Sequence, residues 1–436
     1  MKKMATWLLL STALITPFIV APNLFYPFLD GKVLFLRGVS FGVLLLITLF
    51  LLSNNKKDHK EREELYLRIG HMIRDPLFLA VATSMALLVL STIFAFDQRV
   101  AFFGETQRGE GFLTLFALFS FFVSFYILFK EKEWRTFFMF SSVAALLLFI
   151  IELSQVVMGS NRPSALSGLS TYLAGYYIFT IFSGIIIFFE GRKMDNFKYC
   201  LLGAGAFLAS VLGILLTKTR AVMLGIFVAC IICLILSFIF GKKEIIFKRT
   251  IRFWAAGLLV TLALLSGLFL STRHASFWTH VPGLNRVAQY NEQDANTTSR
   301  FLFAKESLDS FWGDGGAKRV LFGWGWDNYS FFFQKHYNPQ IFYYETGIAD
   351  RPHNKLLDML VMTGLLGLMS YVFIWFLFVR KIIKILKQDL SRGLALVFYA
   401  TTYFFFLFFT FDIPLTILGF YAVVASMSFD LHESKK

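Results

Sequence analysis

The chain has 436 residues, of which 57% are hydrophobic and 16% charged, with 55 Phe, a mean hydropathy of +0.64 and a formal net charge of +14. That composition excludes a soluble globular domain and a disordered chain, and it describes an integral membrane protein. The apolar runs are about 18 to 25 residues long, the length a helix needs to cross hydrocarbon, so the expected fold is an all-α polytopic membrane bundle.

In chain order, about twelve runs read as spans, at roughly 5–28, 33–53, 77–97, 111–129, 136–158, 169–190, 199–217, 221–240, 251–271, 355–379, 394–411 and 413–428. The first follows Met1, Lys2 and Lys3 and is read as a helix, because a secretory signal would show a small-x-small cleavage site. Basic residues concentrate in "KKDHKEREELYLR", "KEKEWR", "GRK", "GKKEIIFKR" and "RKIIKILK", which hold 18 of the 42 Lys and Arg, and this puts those segments and both termini on the cytoplasmic side. The positive charge therefore reports topology and membrane lipid, and no nucleic-acid partner is expected. "KEREELYLRIGHMIR" reads as an interfacial amphipathic helix. Cys200, Cys230 and Cys233 fall inside spans and read as packing residues, so the C-x-x-C implies no disulfide framework.

The sequence reads as one membrane domain over 1–436, with one long outer connection, 271–354, between the ninth and tenth spans. Within it "TTSRFLFAKESLDSFW" predicts an amphipathic helix capped by Thr298 or Ser299, with Phe301, Leu302, Leu308, Phe311 and Trp312 on its apolar side. "GDGGAK", at 313–318, lacks P-loop spacing and reads as a turn; "VLFGWGWDNYSFFFQKHY" follows, rich in glycine and aromatic rings.

Charged groups at the mouths of spans are costly, so each is a functional candidate, with interfacial anchoring as the alternative. Four arginines are expected on the outer side: Arg108, Arg162, Arg220 and Arg300. Thr219 is a plausible N-cap, which places Arg220 in a first helical turn where free N–H groups and the dipole favour a phosphate. His353 is expected in the first turn of the tenth span, with Asp350 as N-cap and Pro352 at the helix start. Steps of three and four residues would align it with Leu357, Leu360, Gly364 and Gly367 on a face that packs into the bundle. The positive helix end favours neutral imidazole, suited either to proton abstraction or to a structural hydrogen bond. The seven His are scattered and no H-E-x-x-H or D-x-D occurs, so neither a metal nor a cofactor is expected. Arginines for phosphate, a neutral imidazole for a hydroxyl proton and aromatic rings for sugar faces suit glycan transfer from a lipid-linked diphosphate.

These residues resemble the O-antigen ligase and polymerase superfamily of bacterial membrane proteins. Its pattern of H, N/S/Q, nine residues, G, two residues, G is met by His353, Asn354, Gly364 and Gly367, and its R-x3-L by Arg220 and Leu224. "RPSALSGLSTYLAGYY" and the pair "TSRFLFAKESL" and "VLFGWGWDNY" also look like family segments. The resemblance implies a GT-C-like fold and metal-independent, inverting transfer from an undecaprenyl-diphosphate-linked glycan to a lipid, glycan or protein acceptor. The reaction would run at the outer face of the cytoplasmic membrane. It implies His353 as the base and Arg108, Arg162, Arg220 and Arg300 as diphosphate ligands. One departure is that many relatives carry an acid in "HNxxLxxxxExG" where this chain has Met362, and Asp358 lies on another helical face. Ligase stands ahead of polymerase because both short patterns fit. A flippase or transporter is the competing class, and it would place its polar groups near the midplane. A third reading is a structural or sensory membrane protein whose outer loop binds glycan.

Overall fold

The computed structural model describes residues 1–436 apart from 106–107, 243–244, 247–248, 282, 289–294, 314–315, 346–348 and 434–436. In order, the helices are α1 (Lys2–Ile15), α2 (Asp30–Leu52), α3 (His59–Met72), α4 (Pro76–Ile93), α5 (Gln98–Phe103), α6 (Phe112–Leu128), α7 (Glu131–Val157), α8 (Ser170–Lys193), α9 (Phe197–Thr217), α10 (Arg220–Phe240), α11 (Ile251–Thr272), α12 (Leu284–Ala288), α13 (Ala295–Gly313), α14 (Gly316–Phe322), α15 (Tyr329–Lys335), α16 (Lys355–Gln388), α17 (Leu390–Phe409) and α18 (Pro414–Glu433). The described strands are a two-residue antiparallel pair, Ile245–Ile246 with Arg249–Thr250.

Among the described residues nine helices are long and apolar enough to cross a membrane, so the chain is a multi-pass α-helical membrane protein. The other three expected spans fall on α1, α6 and α18, of which the apolar stretches 112–128 and 414–428 are shorter. The run 5–28 is not one helix: α1 stops at Ile15, and Pro17, Pro22 and Pro27 withhold the N–H groups a continuing helix needs. The charged segment before α4 is helical as expected (α3), whereas the turn expected at 313–318 lies partly outside the described residues.

The packing divides into two compact units. The first comprises Met1–Phe140, Glu292–Phe378 and Leu407–Lys436; the second comprises Ser141–Asn291 and Val379–Phe406. In the second, α8 and α9 pack through small residues, with the Gly203 carbonyl 2.8 Å from where a Gly184 Cβ would lie. Such close backbone approach is the usual way membrane helices gain contact, since lipid supplies no hydrophobic drive between them.

In the first unit the glycine-rich segment after α14 crosses the start of α16. Trp324 N–H donates to the Val361 carbonyl (2.9 Å), Gly325 N–H to that of Met362 (2.9 Å), and Ser91 Oγ also donates to Met362 O (2.8 Å). Those carbonyls are available because α16 breaks at Gly364, which has φ 71° and ψ −172°. The expected continuous face from His353 to Gly367 is therefore interrupted: Gly364 serves a backbone crossing, and Gly367 sits against Thr363 Oγ1 across the break. A Cβ on Gly364 would lie 2.4 Å from the Leu321 carbonyl carbon and require a left-handed backbone. Gly364→Ala is expected to cost roughly 1–3 kcal/mol from backbone strain alone, with the clash in addition. Thermal unfolding in detergent should show a clear loss against Gly257→Ala, whose Cβ meets nothing within 4 Å. Equal melting temperatures for the two would show that the crossing tolerates a methyl group.

Candidate active site

In the first unit, His353 lies just before α16 and not in its first turn. Asn354 is the cap, its Oδ1 accepting from Leu356 N (2.9 Å) and Leu357 N (3.2 Å) while its Nδ2 donates to Phe408 O (3.0 Å). Asp350 is thereby released from the capping role expected of it and accepts from Arg108 Nε at 2.5 Å. His353 itself has φ 54°, a left-handed conformation uncommon outside glycine and typical of residues that the surrounding structure holds in place. Its ring packs on Phe303 (centroids 6.0 Å apart) and Phe411 (5.4 Å), and the Arg108 guanidinium lies 3.9 Å from the Phe411 centroid. Burial pushes the His353 imidazole down to about 4, Arg300 and Arg108 lower it further, and Asp350 opposes them. Neutral imidazole was expected; its main cause is desolvation, not helix polarity.

Arg300 stands on α13, which begins at Ala295, so Thr298 and Ser299 lie inside the helix and do not cap it. The buried face of α13 carries Ser299, Phe303, Glu306, Ser307 and Phe311, while Phe301, Leu308 and Trp312 are exposed. Ser307 Oγ lies 3.0 Å from Tyr329 Oη. Burial raises the Glu306 carboxyl to about 7.

Beside His353 is a charged cluster that sequence reading did not single out. Arg351, 1% exposed, donates from Nη2 to Glu110 Oε2 (3.0 Å) and to Asp327 Oδ1, and from Nη1 to Met362 Sδ (3.1 Å). The second Asp327 oxygen accepts from Glu105 N (2.7 Å). One guanidinium thus meets two buried carboxylates. Burial raises Glu110 to about 8, against the pull of Arg351 and Arg108, so Glu110 keeps its proton at neutral pH and Asp327 is the counter-ion. Lys355 pairs with Asp412 at 2.9 Å. Asp358, 1% exposed, has both carboxylate oxygens without a hydrogen-bond partner, as have Arg351 Nε and Trp326 Nε1. Buried polar groups are normally satisfied, so these orphaned atoms mark a place where a polar ligand would gain.

In the second unit the α9–α10 turn gathers cations. Arg162 Nε donates to Thr217 O (3.3 Å), Arg286 Nη1 to Lys218 O (3.2 Å), and Lys218 Nζ to Asn161 Oδ1. Burial and the neighbouring Arg220 charge both lower the Arg162 guanidinium. Thr219 is the residue before α10 as expected, but its side chain makes no cap, and its buried Oγ1 has no partner. The first-turn N–H groups are thus uncapped by Thr219, beside two arginines. Lys218 and Arg286 were missed because neither belongs to a motif. Leu224 is 42% exposed, and the tight packing belongs to its neighbour Gly225, against Thr402 and Phe405.

Residues 205–372 match the family model described as O-antigen ligase. This segment is similar to the O-antigen ligase family. The match agrees with the resemblance drawn from the short patterns and supports a function of the O-antigen ligase and polymerase type. The matched segment contains Arg220, Leu224, Arg300, His353, Asn354, Gly364 and Gly367, together with Asp327, Arg351 and Asp358; Arg108, Glu110 and Arg162 precede it. No curated protein matches the chain at a significant level.

Proposed function

We propose that the protein moves a glycan from an undecaprenyl-diphosphate-linked donor to an acceptor hydroxyl at the outer face of the bacterial cytoplasmic membrane, acting as a ligase. The observation that carries this reading is His353, a half-buried imidazole kept neutral in a left-handed backbone, beside orphaned polar atoms and within the segment similar to the O-antigen ligase family. The imidazole takes the proton of the acceptor hydroxyl as its oxygen bonds to the anomeric carbon. The bond from that carbon to the diphosphate breaks on the opposite side, the electron pair leaves with the diphosphate, and the configuration inverts. A diphosphate is a good leaving group, so cationic side chains answer its charge without a metal.

Arg162 and Arg220, at an uncapped helix start, are assigned to phosphate oxygens. Arg300 and Arg108 lower His353 by their charge. When a diphosphate neutralises such charge, imidazole becomes a stronger base, so the proton is taken only after the donor has arrived. Arg108 also holds Asp350, and phosphate contact by Arg108 requires that pair to open.

Reconstitution with an undecaprenyl-diphosphate glycan and separate lipid, protein and glycan acceptors tests the reading. Transfer to a lipid or protein supports a ligase, elongation of the donor glycan marks a polymerase, and loss of neither donor nor acceptor sinks the assignment. Arg220→Ala is expected to weaken donor binding about tenfold or more, the worth of one charge-assisted phosphate contact. Donor affinity equal to the parent protein's would remove Arg220 from the phosphate site.

A further inference from the structure

The first unit holds a cavity of about 790 Å³ at the end of its helices away from His353. It is bounded by α3, the start of α4, the end of α6, the start of α7 and the end of α18. Asp75 caps α4 at this end, whereas just past the other end of α4 Phe96 N–H meets Trp324 O in the segment that crosses α16. The 18 residues of α4 put the two levels about 27 Å apart.

The cavity has three layers. Its wall is apolar and aromatic: Leu67, Met72, Phe125, Phe129, Trp134 and Ala425. Its one deep carboxylate, Asp75, is held by hydroxyl donors, with Oδ2 accepting from Tyr126 Oη (2.7 Å) and Ser428 Oγ (2.7 Å). Its rim is basic, with Arg68, Lys130, Lys132 and Arg135 set against Glu64 and Glu131. Arg68 Nη1 donates to Ile127 O (3.2 Å) in the last turn of α6 and to Phe129 O (2.7 Å) just past it, which fixes a guanidinium at the mouth. Lys130 reaches Glu64 (2.6 Å) and Arg135 reaches Glu131 (2.7 Å), so with Asp75 counted the four cations of the lining meet three carboxylates and leave an excess of one.

We propose that this cavity binds an anionic glycerophospholipid, its phosphate on the Arg68–Lys130–Lys132–Arg135 rim and the head of an acyl chain along the aromatic wall. The rim lies where α4 and α7, two candidate spans, begin, which is the level of lipid headgroups. A wholly soluble anion would leave the exposed Leu67 side chain uncovered, and a neutral lipid would leave the excess positive charge unanswered. The proposal is independent of the transfer reaction, because none of these residues is placed in the site around His353.

The test is native mass spectrometry of the full chain after graded delipidation, with phosphatidylglycerol, phosphatidylethanolamine, phosphatidylcholine and diacylglycerol offered at equal mole fraction. Phosphatidylglycerol should be retained last. Lys130→Gln with Lys132→Gln should lower its retention about 25-fold, at roughly a factor of five per lost basic residue. Leu67→Glu, at an exposed wall position, should do the same by charge repulsion, and an unchanged melting temperature in both variants shows that the fold is intact. Equal retention of phosphatidylcholine or phosphatidylethanolamine, unchanged retention in both variants, or displacement of phosphatidylglycerol by inorganic phosphate at equal concentration would each overturn the proposal.

Discussion

His353→Ala is expected to lower glycan transfer by about 10²–10⁴-fold, the range for removing a positioned general base, with membrane insertion and melting behaviour close to the parent protein. The loss should appear in turnover and leave donor binding unchanged, since the phosphate contacts are assigned to arginines. The pH profile separates a base from a structural imidazole. In the free protein, burial with Arg300 and Arg108 holds His353 down to about 4, so it is already neutral well below its ordinary range. The rate constant kcat/KM, which reports the free enzyme, should therefore stay nearly flat from pH 8 to 5; a base at an ordinary value of about 6.5 would lose about 30-fold by pH 5. A fall centred near 6.5 would mean that the imidazole is hydrated and that the buried site is not the reacting one.

The same depression has a sign in stability. Between about 6.5 and 4 the unfolded chain binds a proton at this residue that the folded chain refuses, so acidification through that window weakens the fold. His353→Ala should remove that part of the acid sensitivity while removing activity. The two readouts move together only if the residue is buried and neutral.

The membrane architecture was legible because span length and apolarity are properties of contiguous sequence, and eleven of the twelve expected runs each fall on one of the helices, α16 being broken at Gly364. The first failed at its prolines, which a hydropathy reading weighs too lightly. His353 was legible by motif, but its setting was not: the helix was expected to begin at Asp350, and it begins after Asn354 because Asp350 is taken by Arg108, 242 positions earlier in the chain. Contacts of that separation have no local signature. For the same reason "GWGW" and Gly364 looked like two unrelated glycine features, and only their backbone crossing explains both. Met362 is the departure that the structure accounts for best. Where the resemblance led one to expect an acid, this chain places a thioether 3.1 Å from Arg351, which also donates to Glu110 and Asp327. A third carboxylate on one guanidinium would be a buried charge without a partner.

Arg351 is accordingly where the largest loss of stability is expected. Arg351→Gln leaves Asp327, 1% exposed, without its counter-ion, and breaking a buried pair from one side costs about 3–5 kcal/mol. For a protein of marginal stability that is enough to empty the folded fraction in mild detergent, seen as loss of the monodisperse peak and of cooperative melting. Removing the charges together should be far milder: Arg351→Met with Glu110→Gln and Asp327→Asn leaves no buried charge in the triad, and most of the melting temperature should return. A pH series supplies a second test. Glu110 sits near 8 in the folded chain against an ordinary value of about 4.5, so between those values the folded state holds a proton that the unfolded state has lost, and stability should decline as pH rises from about 4.5 to 8 and level off above it. Glu110→Gln should flatten that decline, because an amide keeps the neutral form at every pH. If Arg351→Gln melts like the parent protein, or if Glu110→Gln leaves that slope untouched, water reaches the triad and the layer beside His353 is not a dry one.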